Sequence, residues 1–233
     1  DRVASRGLGD VYKRQKKQLL AYANSQLSKA LDINTLTIGF ARRAATYKRA
    51  QLIFKDVDRL LDIGKGKIQI IFSGKAHPKD EGGKSLIKNI IKSSKYFTGH
   101  IKIIYLENYN MWLGRLITSG VDVWLNTPLR PNEASGTSGM KASLNGVPNL
   151  SVLDGWWSEG CIDGVNGWAV GNPNEISDES DADHLYDLIE NNVIPSYYGD
   201  KDDWSTMMKE SIKTGISYTS HRMVTDYNNQ YYK

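Results

Sequence analysis

The chain predicts an α/β protein, a parallel β-sheet with helices on both faces and a helical tail, and two observations carry that expectation. From residue 36 onward, short runs of β-branched and aliphatic residues alternate with longer segments whose apolar residues recur at helical spacing. The strand-like runs are also almost continuously apolar, as expected where a sheet is covered on both sides rather than half exposed. Right-handed crossovers between parallel strands place helices on both faces.

The elements follow in order. LTIGFA, 36–41, reads as a strand, and TYKRAQLIFKDVDRLLDI, 46–63, as a helix, because Ala50, Ile53, Phe54, Val57, Leu60 and Leu61 share one helical face. KIQIIFSG precedes the helical KSLIKNIIKSSKYF, IKIIYLEN precedes MWLGRLITSG, and VDVWLN leads through a glycine-rich stretch and a helix to PNLSVLD. From Ala182 the tail reads as helices in which Tyr197, Tyr198, Tyr218, Tyr227, Tyr231 and Tyr232 are expected to pack. The first fifteen residues, DRVASRGLGDVYKRQ, lack periodicity and are set apart. DVYKRQ resembles the translation of a transposase end sequence used in sequencing-library preparation. The expectation is therefore a non-native, adaptor-like tail over 1–15 and the domain over 16–233; the alternative is an ordinary disordered tail.

Bulk properties narrow the function classes. At 233 residues and 40% hydrophobic content the chain can bury a sizeable core. A net charge of +4 is too mild for a dedicated nucleic-acid binder. A single cysteine, Cys161, excludes an internal disulfide and a multi-cysteine zinc site, and favours a reducing compartment. No stretch approaches the ~20 apolar residues of a membrane span, and no secretory leader is visible. A soluble, cytoplasmic protein without a metal or membrane partner is expected.

Two nucleotide-like signatures fail on context. GKG at Gly64–Gly66 follows a helix and precedes a strand, which suits a helix C-terminus. GKS at Gly83–Ser85 has Pro78 where a phosphate loop needs its first glycine, and no strand leads into it. FARRAATYKRA, 40–50, carries more: Arg42 and Arg43 close a strand and Lys48 lies one turn on, so three cations would converge on one helix N-terminus, where a phosphate-like group would suit them. A solvated basic face is the alternative. In EASGTSGMK, 133–141, Gly136 and Gly139 would let a ligand approach the backbone, and Ser135, Thr137 and Ser138 add hydroxyls at a helix start. Lys141 follows in the first turns, where a lysine partly desolvated beside other cations is a competent amine nucleophile. Glu133 adds a carboxylate able to accept sugar hydroxyls. An N-capped surface helix with a solvated lysine is the alternative here.

NEASGTSGMKASLNGVPNLSVLDGWWSEG resembles the cofactor segment of the α-glucan (glycogen, starch, maltodextrin) phosphorylases, RRAATYKR is similar to their KRIHEYKR segment, and FSGKAHP and LENYN resemble two further stretches in the same order. The likeness is strong over roughly residues 36 to 170, and TSGMKASLNG and DGWWSEG point to the shorter bacterial and archaeal branch. The resemblance implies the C-terminal Rossmann-like domain of a GT-B fold, with pyridoxal 5′-phosphate in Schiff-base linkage to Lys141. Gly136, Thr137 and Ser138 would hold the cofactor phosphate with Arg42, and Tyr109 would lie beside its ring. Arg43 and Lys48 would hold inorganic phosphate, and Glu133, Ser135 and Gly136 the glucosyl unit of an α-1,4-glucan. The implied partner is the family's N-terminal domain in the same polypeptide; a homo-oligomeric parent is left open. Ala44–Thr46 depart from a His-Glu-containing step, and Asn110 from an arginine of the long forms. Two other readings stand beside this one: a nucleotide-sugar-dependent GT-B glycosyltransferase, and a non-enzymatic glucan-binding or interaction module.

Overall fold

The computed structural model describes residues 2–26, 30–172 and 174–232. Six parallel strands form one sheet in the order β3-β2-β1-β4-β5-β6. They are β1 Leu36–Ala41, β2 Ile68–Ser73, β3 Lys102–Leu106, β4 Val123–Asn126, β5 Asn149–Val152 and β6 Gly167–Val170. This is the doubly wound, Rossmann-like order: the chain starts at the centre, builds to one edge, then returns to build the other half. The reversal falls between β1 and β4, so their C-terminal ends flank the crevice where such sheets take ligands. The helices are α1 Arg2–Gln26, α2 Val57–Gly64, α3 Glu81–Tyr96, α4 Met111–Gly120, α5 Thr137–Leu144, α6 Trp157–Gly160, α7 Asp178–Leu188, α8 Ile194–Tyr198, α9 Lys201–Ile216 and α10 Ser220–Tyr231.

The continuous apolar runs are explained by two cores, one on each face. Alternate residues of β1 and β2, Leu36, Ile38, Phe40 and Ile68, Ile70, Phe72, pack with Leu60 of α2, Ile90 of α3 and Leu185 of α7. Ala41, Ile71, Ile104 and Trp124 pack on the other face with Leu19 of α1, Leu113 and Ile117 of α4 and Ala142 of α5. A β-carbon on Gly39 would lie 2.7 Å from Val121 Cγ1, so close packing of Val121 over β1 requires glycine there.

The helix expected over 46–63 is broken. Thr46–Lys48 and Leu52–Phe54 are isolated 3-10 turns, and α2 begins only after Asp56, whose side chain caps it by accepting from Arg59 N. The break lies at Arg49, whose φ of 45° is left-handed and incompatible with a right-handed helix. The spacing looked helical because Ala50, Ile53, Phe54 and Leu60 all reach the same core. Strand β6 was not anticipated: it has four residues and starts on Gly167, too little for a strand pattern.

Residues 2–15, set apart on their sequence, lie within α1, and Tyr12 packs against the first core. Their helical state bears on their folding and not on their origin. The tyrosine-rich tail divides. The Tyr218 ring stacks edge-on to Trp156 at 5.0 Å, and Tyr198 Oη accepts from Leu36 N and donates to Lys67 O. The packing role expected of Tyr227, Tyr231 and Tyr232 fails, since α10 buries no residue and these three rings are exposed. Helix α9 packs chiefly on α5, α8 and α1, and α10 beyond it buries none of its described residues.

At the N-terminal ends of β1 and β4, away from the crevice, a buried charge pair ties α1 to the sheet. Lys16 Nζ donates to Asp122 Oδ2 at 2.6 Å, to Thr35 O at 2.8 Å and to Tyr197 Oη at 2.9 Å, and Thr37 N donates to the same Asp122 oxygen. Burial works against both charges, drawing Lys16 down to about 7 and lifting Asp122 well above the usual carboxylate range. Removing one partner strands the other, so Asp122→Ala is expected to lower stability in urea unfolding by about 3–5 kcal/mol. Lys16→Met combined with Asp122→Leu should recover most of that loss. A loss under about 1 kcal/mol for Asp122→Ala would show that the pair does not hold α1 in place.

Candidate active site

The crevice is built from the two strands that flank the reversal. After β1 the chain keeps pairing with the segment after β2, since Arg42 N donates to Ser73 O and Ala44 N to Lys75 O. A β-carbon on Gly74 would lie 2.0 Å from Arg42 O, so the approach of these two segments depends on glycine. Arg42 is thereby fixed at the crevice edge with its guanidinium buried. Its Nη1 donates to Asn126 Oδ1 at the end of β4, and its Nη2 donates to Glu133 Oε2 at 2.6 Å. Asn126 is oriented in turn by Nδ2 donating to Ser151 Oγ on β5.

Lys48 reaches the same carboxylate oxygen from the first 3-10 turn, with Nζ 2.5 Å from Glu133 Oε2, and is also buried. Glu133 is seated by the segment that leaves β5: its N–H donates to Asp154 Oδ2, and Asp154 Oδ1 accepts from Gly155 N. Burial pushes the Glu133 carboxyl up, but the hydrogen bond from Lys48 and the charge and hydrogen bond of Arg42 outweigh it and hold the group below its usual value. The Glu133 carboxylate thus faces two buried cations, and the buried Asp154 carboxylate lies behind it on the Glu133 N–H, so the four buried charges balance. An anion entering here would compete with Glu133 for Arg42 and Lys48.

The glycines of EASGTSGMK serve the backbone and the packing rather than an open approach. Gly136 is the N-cap of α5 with φ 85°, a left-handed conformation that favours glycine. A β-carbon on Gly139 would sit 2.6 Å from Asn149 Oδ1 and 2.8 Å from Trp156 Nε1. Gly139, Ala142 and Ser143 turn inward; Thr137 and Lys141, one turn apart, share the exposed face. Lys141 makes no side-chain hydrogen bond or ion pair among the described residues. The first two amides of α5, those of Thr137 and Ser138, have no partner within the helix, while the third, Gly139 N, donates to Gly136 O at 3.0 Å; Ser138 and Ser135 are partly exposed beside them.

The expected convergence of three cations on a helix start is corrected in two respects. The element after Arg43 is a three-residue 3-10 turn and not an α-helix, and Arg43 is exposed while Arg42 and Lys48 meet at Glu133. Arg43 instead acts on Tyr47, whose phenol is held below the usual tyrosine value chiefly by a hydrogen bond with Lys48 and further by Arg43. Tyr109 is half-buried over Gly114 of α4; burial raises its phenol pKa, and the charge of Arg42 pulls it back. Asn110 has a local role that explains its presence, capping α4 by accepting from Leu113 N. Sequence reasoning missed Asn126 and Asp154, which orient Arg42 and Glu133. Their only signal was their place at the C-terminal ends of VDVWLN and PNLSVLD, where ligands of such sheets bind.

The donor set fits a phosphorylated aldehyde: an exposed amine unpaired among the described residues, the free amides of Thr137 and Ser138 at a helix N-terminus, and the cations Arg42 and Lys48 with Arg43 exposed beside them. No group of His, Cys, Asp and Glu suited to a metal ion occurs among the described residues, and no described helix is long and apolar enough to cross a membrane.

The strand order and the cationic crevice at its reversal define a doubly wound α/β domain suited to anionic ligands. The family model described as "Phosphorylase: Carbohydrate phosphorylase" matches residues 1–159. The chain is 51% identical over 211 residues to maltodextrin phosphorylase of Thermococcus litoralis, an alignment covering 87% of this chain and 25% of that protein. It is 48% identical over 214 residues to glycogen phosphorylase of Aquifex aeolicus, covering 87% and 31%. Glycogen phosphorylase of Mycobacterium tuberculosis is 43% identical over 220 residues, covering 88% and 25%. This chain therefore belongs to the carbohydrate phosphorylase family, and it spans between a quarter and a third of the length of these relatives. Its Rossmann-like sheet ending in helices is consistent with the GT-B domain of that family.

Proposed function

We propose that the chain is the C-terminal part of an α-1,4-glucan phosphorylase, which releases glucose 1-phosphate from a glycogen- or maltodextrin-like glucan with retention of configuration. The observation that carries this reading is the meeting of Arg42 and Lys48 on Glu133, at the switch point of the sheet, in a segment that goes on to expose Lys141. Lys141 is the residue to hold pyridoxal 5′-phosphate. The amides and hydroxyls of Gly136, Thr137 and Ser138, with Arg42, are placed in sequence to hold its phosphate, and Tyr109 to flank its ring. When bound, the cofactor supplies a phosphate group that exchanges a proton with the substrate phosphate.

Lys48 and Arg43 take inorganic phosphate in this reading, and their charge offsets the repulsion between two adjacent phosphates. Engaging Lys48 with phosphate draws it from Glu133, and the carboxylate then accepts hydroxyls of the glucosyl unit together with Ser135 and Gly136. The substrate phosphate protonates the glycosidic oxygen and captures the glucosyl group on the face it left. The rest of the polypeptide closes the crevice and covers the exposed face of α10. A cytoplasmic location and a homo-oligomeric parent belong to the same proposal.

The test uses the full-length parent. Maltodextrin with inorganic phosphate should yield glucose 1-phosphate, with no product when phosphate is omitted. Chain elongation from a nucleotide-activated glucose, with no phosphate-dependent release, would replace this reading with a nucleotide-sugar transferase.

A further inference from the structure

Arg49 follows Lys48 directly and sends its side chain elsewhere. Its left-handed backbone makes the two side chains diverge, Lys48 to Glu133 and Arg49 beneath the loop that leaves β4. Arg49 Nε donates to Thr127 O at 3.0 Å and Nη2 to Pro128 O at 2.9 Å. Nη2 also donates to Asp181 Oδ2 at 2.5 Å, and Nη1 to Asp178 Oδ1 at 2.8 Å. The loop answers: Thr127 Oγ1 is 3.2 Å from Lys48 O and 3.1 Å from Arg49 O, and Leu129 N donates to Tyr47 O at 2.7 Å. Asp181 is buried at the start of α7, and its second oxygen accepts from Arg130 of the same loop. A β-carbon on Gly171 would lie 2.0 Å from that oxygen, so the carboxylate seats only against glycine.

These bonds join the two segments that carry Lys48 and Glu133, backbone to backbone, and anchor both to α7. The Lys48 segment has no α-helix to hold it, and a lysine has four rotors, so its ammonium is only as fixed as the turn beneath it. Asp178 is half exposed, which makes its bond to Arg49 the weaker of the two and leaves Asp181 as the effective counter-charge. We propose that Arg49, Asp181 and Thr127 are positioning residues for anion capture: they set the register between the Lys48 turn and the Glu133 loop, and so hold Lys48 where phosphate is bound. The proposal rests on the reading of Lys48 as a phosphate ligand.

The test titrates this chain with inorganic phosphate by calorimetry and follows hydrogen–deuterium exchange in parallel. Asp181→Asn keeps the shape of the side chain and removes the counter-charge; Thr127→Val is isosteric, changes no charge and serves if Asp181→Asn fails to fold. Both should raise exchange over residues 44–50 and 127–133, leave the sheet protected, and weaken phosphate binding about tenfold, the scale on which small misplacements of a binding group are felt. Unchanged phosphate affinity in the folded variants would overturn the proposal. So would a loss of affinity accompanied by faster exchange throughout the sheet, which marks a merely structural role. Lys48→Ala separates the two layers: if the unmodified chain binds no phosphate, or binds it equally well after Lys48→Ala, the ligand reading falls and the clamp with it. Binding lost in Lys48→Ala but unaffected in both clamp variants removes the clamp alone.

Discussion

Incubated alone with maltodextrin, inorganic phosphate and pyridoxal phosphate, this chain is expected to form no glucose 1-phosphate. Phosphorolysis needs a water-poor cleft, and here Lys141, Thr137 and Arg43 all stand in solvent. A phosphate held there on one side exchanges protons with water rather than with its neighbour. The rings of α10, and Met111 and Trp112 at the start of α4, are likewise exposed. Steady product formation proportional to this chain, and abolished by Lys141→Ala, would show that its own residues suffice.

Lys48→Ala in the full-length parent is expected to raise the Michaelis constant for phosphate and lower turnover together. Removing one charge-assisted hydrogen bond to phosphate should cost about 1.5–3 kcal/mol, or roughly tenfold to a hundredfold in kcat/KM. The buried position of Lys48 adds a second effect, because Glu133 then keeps Arg42 as its one cationic partner among the described residues. Arg43→Ala should act through phosphate kinetics alone, since its side chain is exposed and its removal uncovers no buried charge. Unchanged phosphate kinetics in both variants would return these residues to a solvated basic face. An Arg43→Ala variant that unfolds more readily than Lys48→Ala would contradict the burial pattern.

Much of the fold could be read from the chain because its cores are two-sided. Leu36, Ile38 and Phe40 serve one face while Ala41 and Gly39 face the other, so apolar continuity was a faithful sign of a covered parallel sheet. The break at Arg49 was not legible: left-handed backbone at a non-glycine residue leaves no mark in composition, and the apolar spacing around it stays helical. In the site, Arg42, Lys48 and Glu133 were each visible as charged residues beside strand ends. Their meeting point was not, because it depends on the switch between β1 and β4 and on hydrogen bonds accepted by Asn126 and Asp154, which carry no distinctive pattern. Arg43 looked equivalent to Arg42 in sequence, yet adjacent residues of an extended segment point to opposite sides, and only one can face β4.

Attachment of pyridoxal phosphate at Lys141 is expected, and its direct measurement is chemical. The chain is incubated with pyridoxal phosphate, scanned for the absorbance of a bound imine, reduced with borohydride, digested and mapped. One dominant pyridoxyl adduct is expected, on Lys141 and absent from Lys141→Ala, because this exposed amine, unpaired among the described residues, shares its helix face with Thr137, beside the first amides that can hold the phosphate. A dominant adduct on any other lysine, or labelling spread evenly over the surface lysines and undiminished in Lys141→Ala, would contradict it.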